Sequence, residues 1–163
     1  METTTMQVIT RSGISEPFKF DKIADRLSGL SDGLKVDPVL IVQQTANRIK
    51  NGITTQELDE LTSNICIQKL LDHPDYGKLA ARVSIDNHHK ITCGKFSEVV
   101  KRLKSHVDIL GESAPLISDE ILEICNDPVK RDAVESWIDY NRDFNLDCFG
   151  FKTLERAYLL KSQ

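Results

Sequence analysis

No apolar run in this chain approaches the roughly 20 residues a membrane-spanning helix needs, and none of its four cysteines forms a C-x-x-C pair. Cys66, Cys93, Cys125 and Cys148 lie scattered. Their spacing excludes a zinc ribbon, and a chain of this size argues against a disulfide framework. Basic charge is also short. Lys and Arg number 21 against 25 Asp and Glu, a formal net charge of -4. That balance argues against nonspecific attachment to duplex DNA or to an anionic membrane. The first residues, Met-Glu-Thr-Thr-Thr, lack the basic-then-apolar order of a signal peptide, so a cytoplasmic location is expected. No internal repeat and no low-complexity tract is present.

What remains describes a globular protein. Hydrophobic residues make up 40% of the 163 positions and charged residues 28%, enough for a core under a polar surface. The length fits one domain, or a small domain with part of a second. Val8 and Thr10 alternate with Gln7 and Ile9 before a Ser12-Gly13 turn, and Phe18 and Phe20 flank Lys19 in a second alternating run. This predicts a β-hairpin, with Pro17 setting the second strand's start near an edge. Asp21 then caps a short helix that Gly29 and Gly33 end. Asp37-Pro38 opens a second helix, stopped by Asn51-Gly52. A third runs from Thr54 to Asp72, and a fourth follows His73-Pro74-Asp75-Tyr76 to about Cys93-Gly94. Further helices are expected from Phe96 and over about 118–126 and 128–138. The fold class is therefore α+β, mostly helical, with a hairpin packed on four helices and an all-α region after them. The tail from Asn141 through Lys161 is rich in aromatics and is expected to dock on something.

The densest cluster of signals is Ile53-Thr54-Thr55-Gln56-Glu57-Leu58-Asp59. Thr54 with Glu57 fits a capping box. The helix start behind it offers N–H groups and partial positive charge to a phosphate or carboxylate. Thr55 and Asp59, four apart, face one side. A nucleotide site needs such donors together with cations and an apolar slot. The hairpin region adds Arg11, Glu16 and Lys22, and Lys90 stands near the end of the fourth helix. Phe18 and Phe20 are equally suited to packing near a base or to a core role.

The order of these segments is more informative than any one of them. Val8-Ile9-Thr10-Arg11-Ser12-Gly13, Glu16-Pro17-Phe18-Lys19-Phe20-Asp21-Lys22-Ile23, Gly52 to Asp59, His73-Pro74-Asp75-Tyr76 with Leu79-Ala80-Ala81-Arg82, and Asn87-His88-His89-Lys90 together resemble the ATP-cone domain. Phe149 through Lys161 is similar to the segment that follows the cone in the large subunit of class I ribonucleotide reductase. The resemblance covers about 7–161. It implies a cone over 7–95 and, over 96–163, the start of the helical region that leads to a catalytic barrel absent from this chain. It also implies an allosteric site for ATP or dATP, with Mg2+ accompanying the nucleotide and no metal held by the protein. Carried over by position, that site comprises Thr10, Arg11, Glu16, Pro17, Phe18, Lys19, Phe20, Asp21, Lys22, Thr55, Asp59 and Lys90. Two positions depart from the family: Thr10 stands where Lys is usual, and Ser12 where Asp is frequent.

The family's catalytic cysteines lie beyond the point where this chain stops, so no catalytic residue is assigned and the chain alone is expected to be inactive. Its own cysteines suit buried or indifferent thiols. His88 and His89 diverge on a helix, which argues against a shared metal. The implied partners are the remainder of the large subunit, or a separate reductase chain if the cone is free-standing, together with the small subunit and other cones. Neither nucleic acid nor membrane is expected. A cone that kept the fold but lost its ligand is the third possibility, for which Thr10 is the hint.

Overall fold

A computed structural model of the chain describes residues 6–159; Met1 to Thr5 and, from the aromatic tail, Leu160 to Gln163 lie outside them. Two compact units are present. One contains the residues up to His88 together with those from Asp143 onward, and the other runs from His89 to Arg142.

The first unit begins with strands β1 (Gln7–Ile9) and β2 (Ser15–Pro17), antiparallel with Val8 opposite Glu16. The turn between them closes through Thr10 N–H donating to the Ile14 carbonyl at 2.8 Å and Gly13 N–H to the Thr10 carbonyl at 2.9 Å. Gly13 sits at φ +80, a backbone region that a Cβ disfavours. The hairpin is as expected, but its second strand is not. Phe18 and Phe20 lie beyond it, and Phe20 is already the first residue of helix α1 (Phe20–Leu30). Regular pairing ends at Pro17, which cannot donate to the ladder, and beyond it only Phe18 N–H reaches across, to the Met6 carbonyl at 2.8 Å. Asp21 likewise lies inside the helix; the cap position is Lys19, with no side-chain cap bond.

Helix α2 (Pro38–Ala46) starts as its sequence predicts, with the Asp37 carboxylate accepting from the N–H groups of Val39 and Leu40 at 3.0 and 3.2 Å. Asn51-Gly52 then turns the chain into a third strand, β3 (Ile53–Thr54), parallel to β1. Asn51 Oδ1 accepts from Gln7 N–H at 2.8 Å, and Gly52 N–H donates to the Gln7 carbonyl at 2.8 Å. Two residues carry no period, so this strand left no pattern in the sequence. The sheet order is β2-β1-β3.

Helix α3 (Thr55–Gln68) ends four residues short of the expected Asp72. A turn then leads to α4 (Asp75–Ile91). Leu27, Ile41, Val42, Ile65, Cys66, Tyr76, Leu79, Ala80 and Val83 form the core where α1 to α4 meet. The apolar tail docks here too. Helix α8 (Cys148–Ala157), capped by Asp147, buries Phe151 against Ala81 and Ile85 of α4.

In the second unit, α5 (Phe96–Lys104), α6 (Asp119–Asn126) and α7 (Pro128–Trp137) match the expected helices. Val100 and Cys125 are buried. Glu135 of α7 accepts from Ser97 N–H at 3.2 Å and from its hydroxyl at 2.5 Å, serving the α5 start. A 3₁₀ helix spans Tyr140–Asn145. Among the described residues no helix is long and apolar enough to cross a membrane.

Because Phe151 is 5% exposed, Phe151→Ala is expected to lower the unfolding free energy by about 3 kcal/mol. Urea denaturation followed by circular dichroism checks this; a loss under about 0.5 kcal/mol would mean that α8 is not a working part of the first unit.

Candidate functional site

A cleft of about 190 Å³ opens in the first unit where the hairpin, α1 and α3 converge. Val8, Thr10 and Arg11 line it from β1 and the turn, and Glu16 and Pro17 from β2. Lys19, Lys22, Ile23, Arg26 and Leu27 come from the start and one face of α1, and Thr55, Leu58, Asp59 and Thr62 from one face of α3. Both helical sets recur at three- and four-residue intervals, so each is one stripe of side chains turned to the same space. Val8, Leu27 and Leu58 are buried and give the cleft an apolar floor.

Its start on α3 is held by the capping box that the sequence predicts. Glu57 N–H donates to Thr54 Oγ1 at 3.1 Å and Thr54 N–H to Glu57 Oε2 at 2.9 Å. The Thr54 hydroxyl donates to the same carboxylate oxygen at 2.8 Å. These bonds hold the Glu57 carboxyl below its ordinary range. The next residue, Thr55, has a buried hydroxyl oxygen with no hydrogen-bond partner among the described residues, on the wall of the cleft.

Asp59 is the centre of an ion network. Its side chain is 6% exposed and takes Arg11 Nη2 on Oδ2 at 3.0 Å and Arg26 Nη1 on Oδ1. Arg11 also donates to Asn87 Oδ1 at 2.5 Å, and Arg26 Nε to Asp86 Oδ2 at 2.7 Å. Burial alone would lower the Arg26 guanidinium, but Asp59 and then Asp86 outweigh it and hold it above its ordinary value. At the rim, Lys22 pairs with Glu16 at 2.9 Å, both side chains well exposed, an arrangement worth little by itself. Four cations against two carboxylates leave the lining with an excess of two positive charges. Thr10, where the resemblance leads one to expect Lys, accepts Ile14 N–H at 3.1 Å and shares a hydrogen bond with Ser12 at 2.9 Å. Both departures are therefore absorbed in the turn.

Of the twelve residues expected at the site, Thr10, Arg11, Glu16, Pro17, Lys19, Lys22, Thr55 and Asp59 come together in this cleft. Phe18, Phe20, Asp21 and Lys90 are not among its lining residues. Phe20 is 39% exposed, and Lys90 is exposed near the C-terminal end of α4. Sequence reasoning missed Arg26, although its position one turn after Lys22 was a readable signal. It also missed Asp86, for which no local signal exists, and Asn87, which lay in a segment that carried the resemblance but was not assigned to the site. Among the cysteines, burial pushes the Cys66 thiol up to about 12, with Cys148 adding to the effect, so that sulfur is inert. His88 packs edge-on to Phe151 in the first unit and His89 edge-on to Tyr140 in the second.

A cleft lined by four cations beside a capped helix start suits an anionic ligand. The family model described as ATP cone domain matches residues 6–91, more than half of the chain. The chain belongs to the ATP cone domain family, and membership implies a nucleotide effector. It is 46% identical over 162 residues to the ribonucleoside-diphosphate reductase large subunit of Arabidopsis thaliana, covering 97% of this chain and 20% of that one. It is 44% identical over 160 residues to the ribonucleoside-diphosphate reductase large chain 2 of Saccharomyces cerevisiae, covering 96% of this chain and 18% of that one. The corresponding large subunit of Variola virus is also 44% identical, with 96% of this chain and 20% of the viral one covered. The chain thus spans about a fifth of the length of the curated relatives it matches.

Removing the acid at the centre of the network leaves two guanidiniums facing each other. Asp59→Ala is expected to lower stability by about 2–3 kcal/mol, below the cost of breaking a fully buried pair because both arginines are partly exposed. Chemical denaturation of the two proteins measures it, and an unchanged midpoint would mean that solvent screens the cluster. The capping box predicts a pH signature. The folded-state pKa of Glu57 lies below its unfolded value, so its contribution is complete above about pH 4.3 and is lost as pH falls through the lowered folded value. The melting-temperature gap between wild type and Glu57→Gln is expected to be widest at neutral pH and to close in acid. A gap independent of pH would sink this assignment.

Proposed function

We propose that the cleft is an allosteric adenine-nucleotide site and that the chain forms the effector-sensing part of a class I ribonucleotide reductase large subunit. The observation that carries the reading is the gathering of Arg11, Lys19, Lys22 and Arg26 over an apolar floor, beside the Thr55 start of α3. The guanidiniums and ammonium groups neutralise phosphates, and the helix start adds N–H dipoles. Val8, Leu27 and Leu58 offer apolar surface to the base. The unpartnered Thr55 hydroxyl gains a hydrogen bond when a polar ligand atom enters. Asp59 has lone pairs beyond those its arginines use, so a ribose hydroxyl can also donate to it, which bears on ATP against dATP.

Magnesium enters with the phosphates. The lining carboxylates, Glu16 and Asp59, are both committed to cations, a poor donor set for a resident metal. The remainder of the large subunit and the small subunit are the partners, and ribonucleotide reduction requires them.

Binding to the native state alone must raise the melting midpoint, by about 2.7 kcal/mol of stabilisation at a hundred times the dissociation constant. Titration with ATP and with dATP, followed by differential scanning fluorimetry, is expected to show this. No shift at millimolar nucleotide overturns the proposal. Arg11→Ala is expected to weaken binding by about 1.5–3 kcal/mol, one charge-assisted contact, and Thr10→Lys to tighten it; no gain from the latter favours a cone that has lost its ligand.

A further inference from the structure

We propose that Arg26 is a positioning residue that ties the state of the cleft to the seat of α8, so that a bound nucleotide changes how α8 is held. The inference rests on the nucleotide reading of the cleft and adds to it a route of output. Arg26 lines the cleft from α1 and reaches past it, joining Asp59 of α3 to Asp86 of α4. Arg11 makes a parallel span from the turn, joining Asp59 to Asn87. Two cleft guanidiniums therefore grip successive residues on one turn of α4. The other side of that turn carries α8. The His88 ring meets Phe151 edge-on with centroids 5.6 Å apart, and Ile85 and Ala81 bury the same ring. Phe151 is the one buried residue of α8.

A guanidinium has a fixed fork of five donors, and phosphate oxygens compete for them with Asp59, Asp86 and Asn87. Drawing either arginine toward a ligand loosens or re-aims its hold on residues 86 and 87. The packing of His88 and Ile85 on Phe151 follows, because close-packed side chains transmit such shifts. Only the Arg side chain can bridge the two carboxylates in this way; a Lys at 26 keeps the charge but has no fork. Coupling of this kind is reciprocal: a change at the seat of α8 alters nucleotide affinity by the same factor.

Amide hydrogen exchange of residues 148–157, read by mass spectrometry with and without saturating ATP, tests the proposal on the full chain. Wild type is expected to change its α8 exchange by roughly fivefold or more, the lower end of measured couplings. Arg26→Lys is expected to keep an ATP-dependent melting shift while losing most of the α8 response. Phe151→Leu, which touches nothing in the cleft lining, is expected to alter ATP affinity several-fold by calorimetry. A melting shift with unchanged α8 exchange overturns the inference and leaves the nucleotide reading standing, as does a full α8 response in Arg26→Lys. Absence of any melting shift in wild type overturns both. If Arg26→Lys fails to fold, Asp86→Asn cuts the same tie at its α4 end and carries the same two outcomes.

Discussion

Everything at the cleft depends on one carboxylate holding two guanidiniums. Asp59 is almost fully buried, and a buried acid persists only when its charge is met and its lone pairs are used. Arg11 and Arg26 meet it from opposite elements, the hairpin turn and α1. Each arginine then finds a second acceptor on α4. The result is a single polar knot through which four separate pieces of the chain are joined. The apolar core under it, from Leu27 to Val83, supplies most of the stabilisation. The knot supplies registry, because charged groups in a half-buried site tolerate few alternative arrangements.

The same arrangement orders the side chains that line the cleft. The lining carries more cations than carboxylates, and its two arginines are already held in place by Asp59. A polyanion therefore finds oriented donors, with little side-chain entropy left to lose. The rim pair of Lys22 and Glu16 is the opposite case, solvated and easily exchanged. Tight positions and loose positions thus sit side by side in one cleft.

Local chemistry made part of this legible from the sequence. The Thr54–Glu57 box, the Asp37-Pro38 helix start and the i, i+4 relation of Thr55 and Asp59 are rules about neighbours, and the structure contains each of them. The resemblance of ordered segments named the family. Three things stayed hidden. Strand β3 is too short to show alternation, so the parallel pairing that brings α3 beside β1 had no signature. The Phe18–Phe20 alternation mimicked a longer strand, but only the Phe18 N–H bonds across beyond Pro17, and helix formation took Phe20. Asn87 and Asp86 lie 76 and 60 positions from the arginines they bind, a distance over which no spacing rule operates.

Those same separations govern when the site comes into being. The β1–β3 pair joins positions more than forty residues apart, and Arg11 must wait for both Asp59 and Asn87. Long-range closure of this kind is slow relative to helix formation. During synthesis, which proceeds from the N-terminus, the hairpin emerges first and remains an unfinished half-site until α4 has left the ribosome. The cleft is therefore complete only in a chain whose α4 has already docked, and no shorter nascent segment carries its full set of partners.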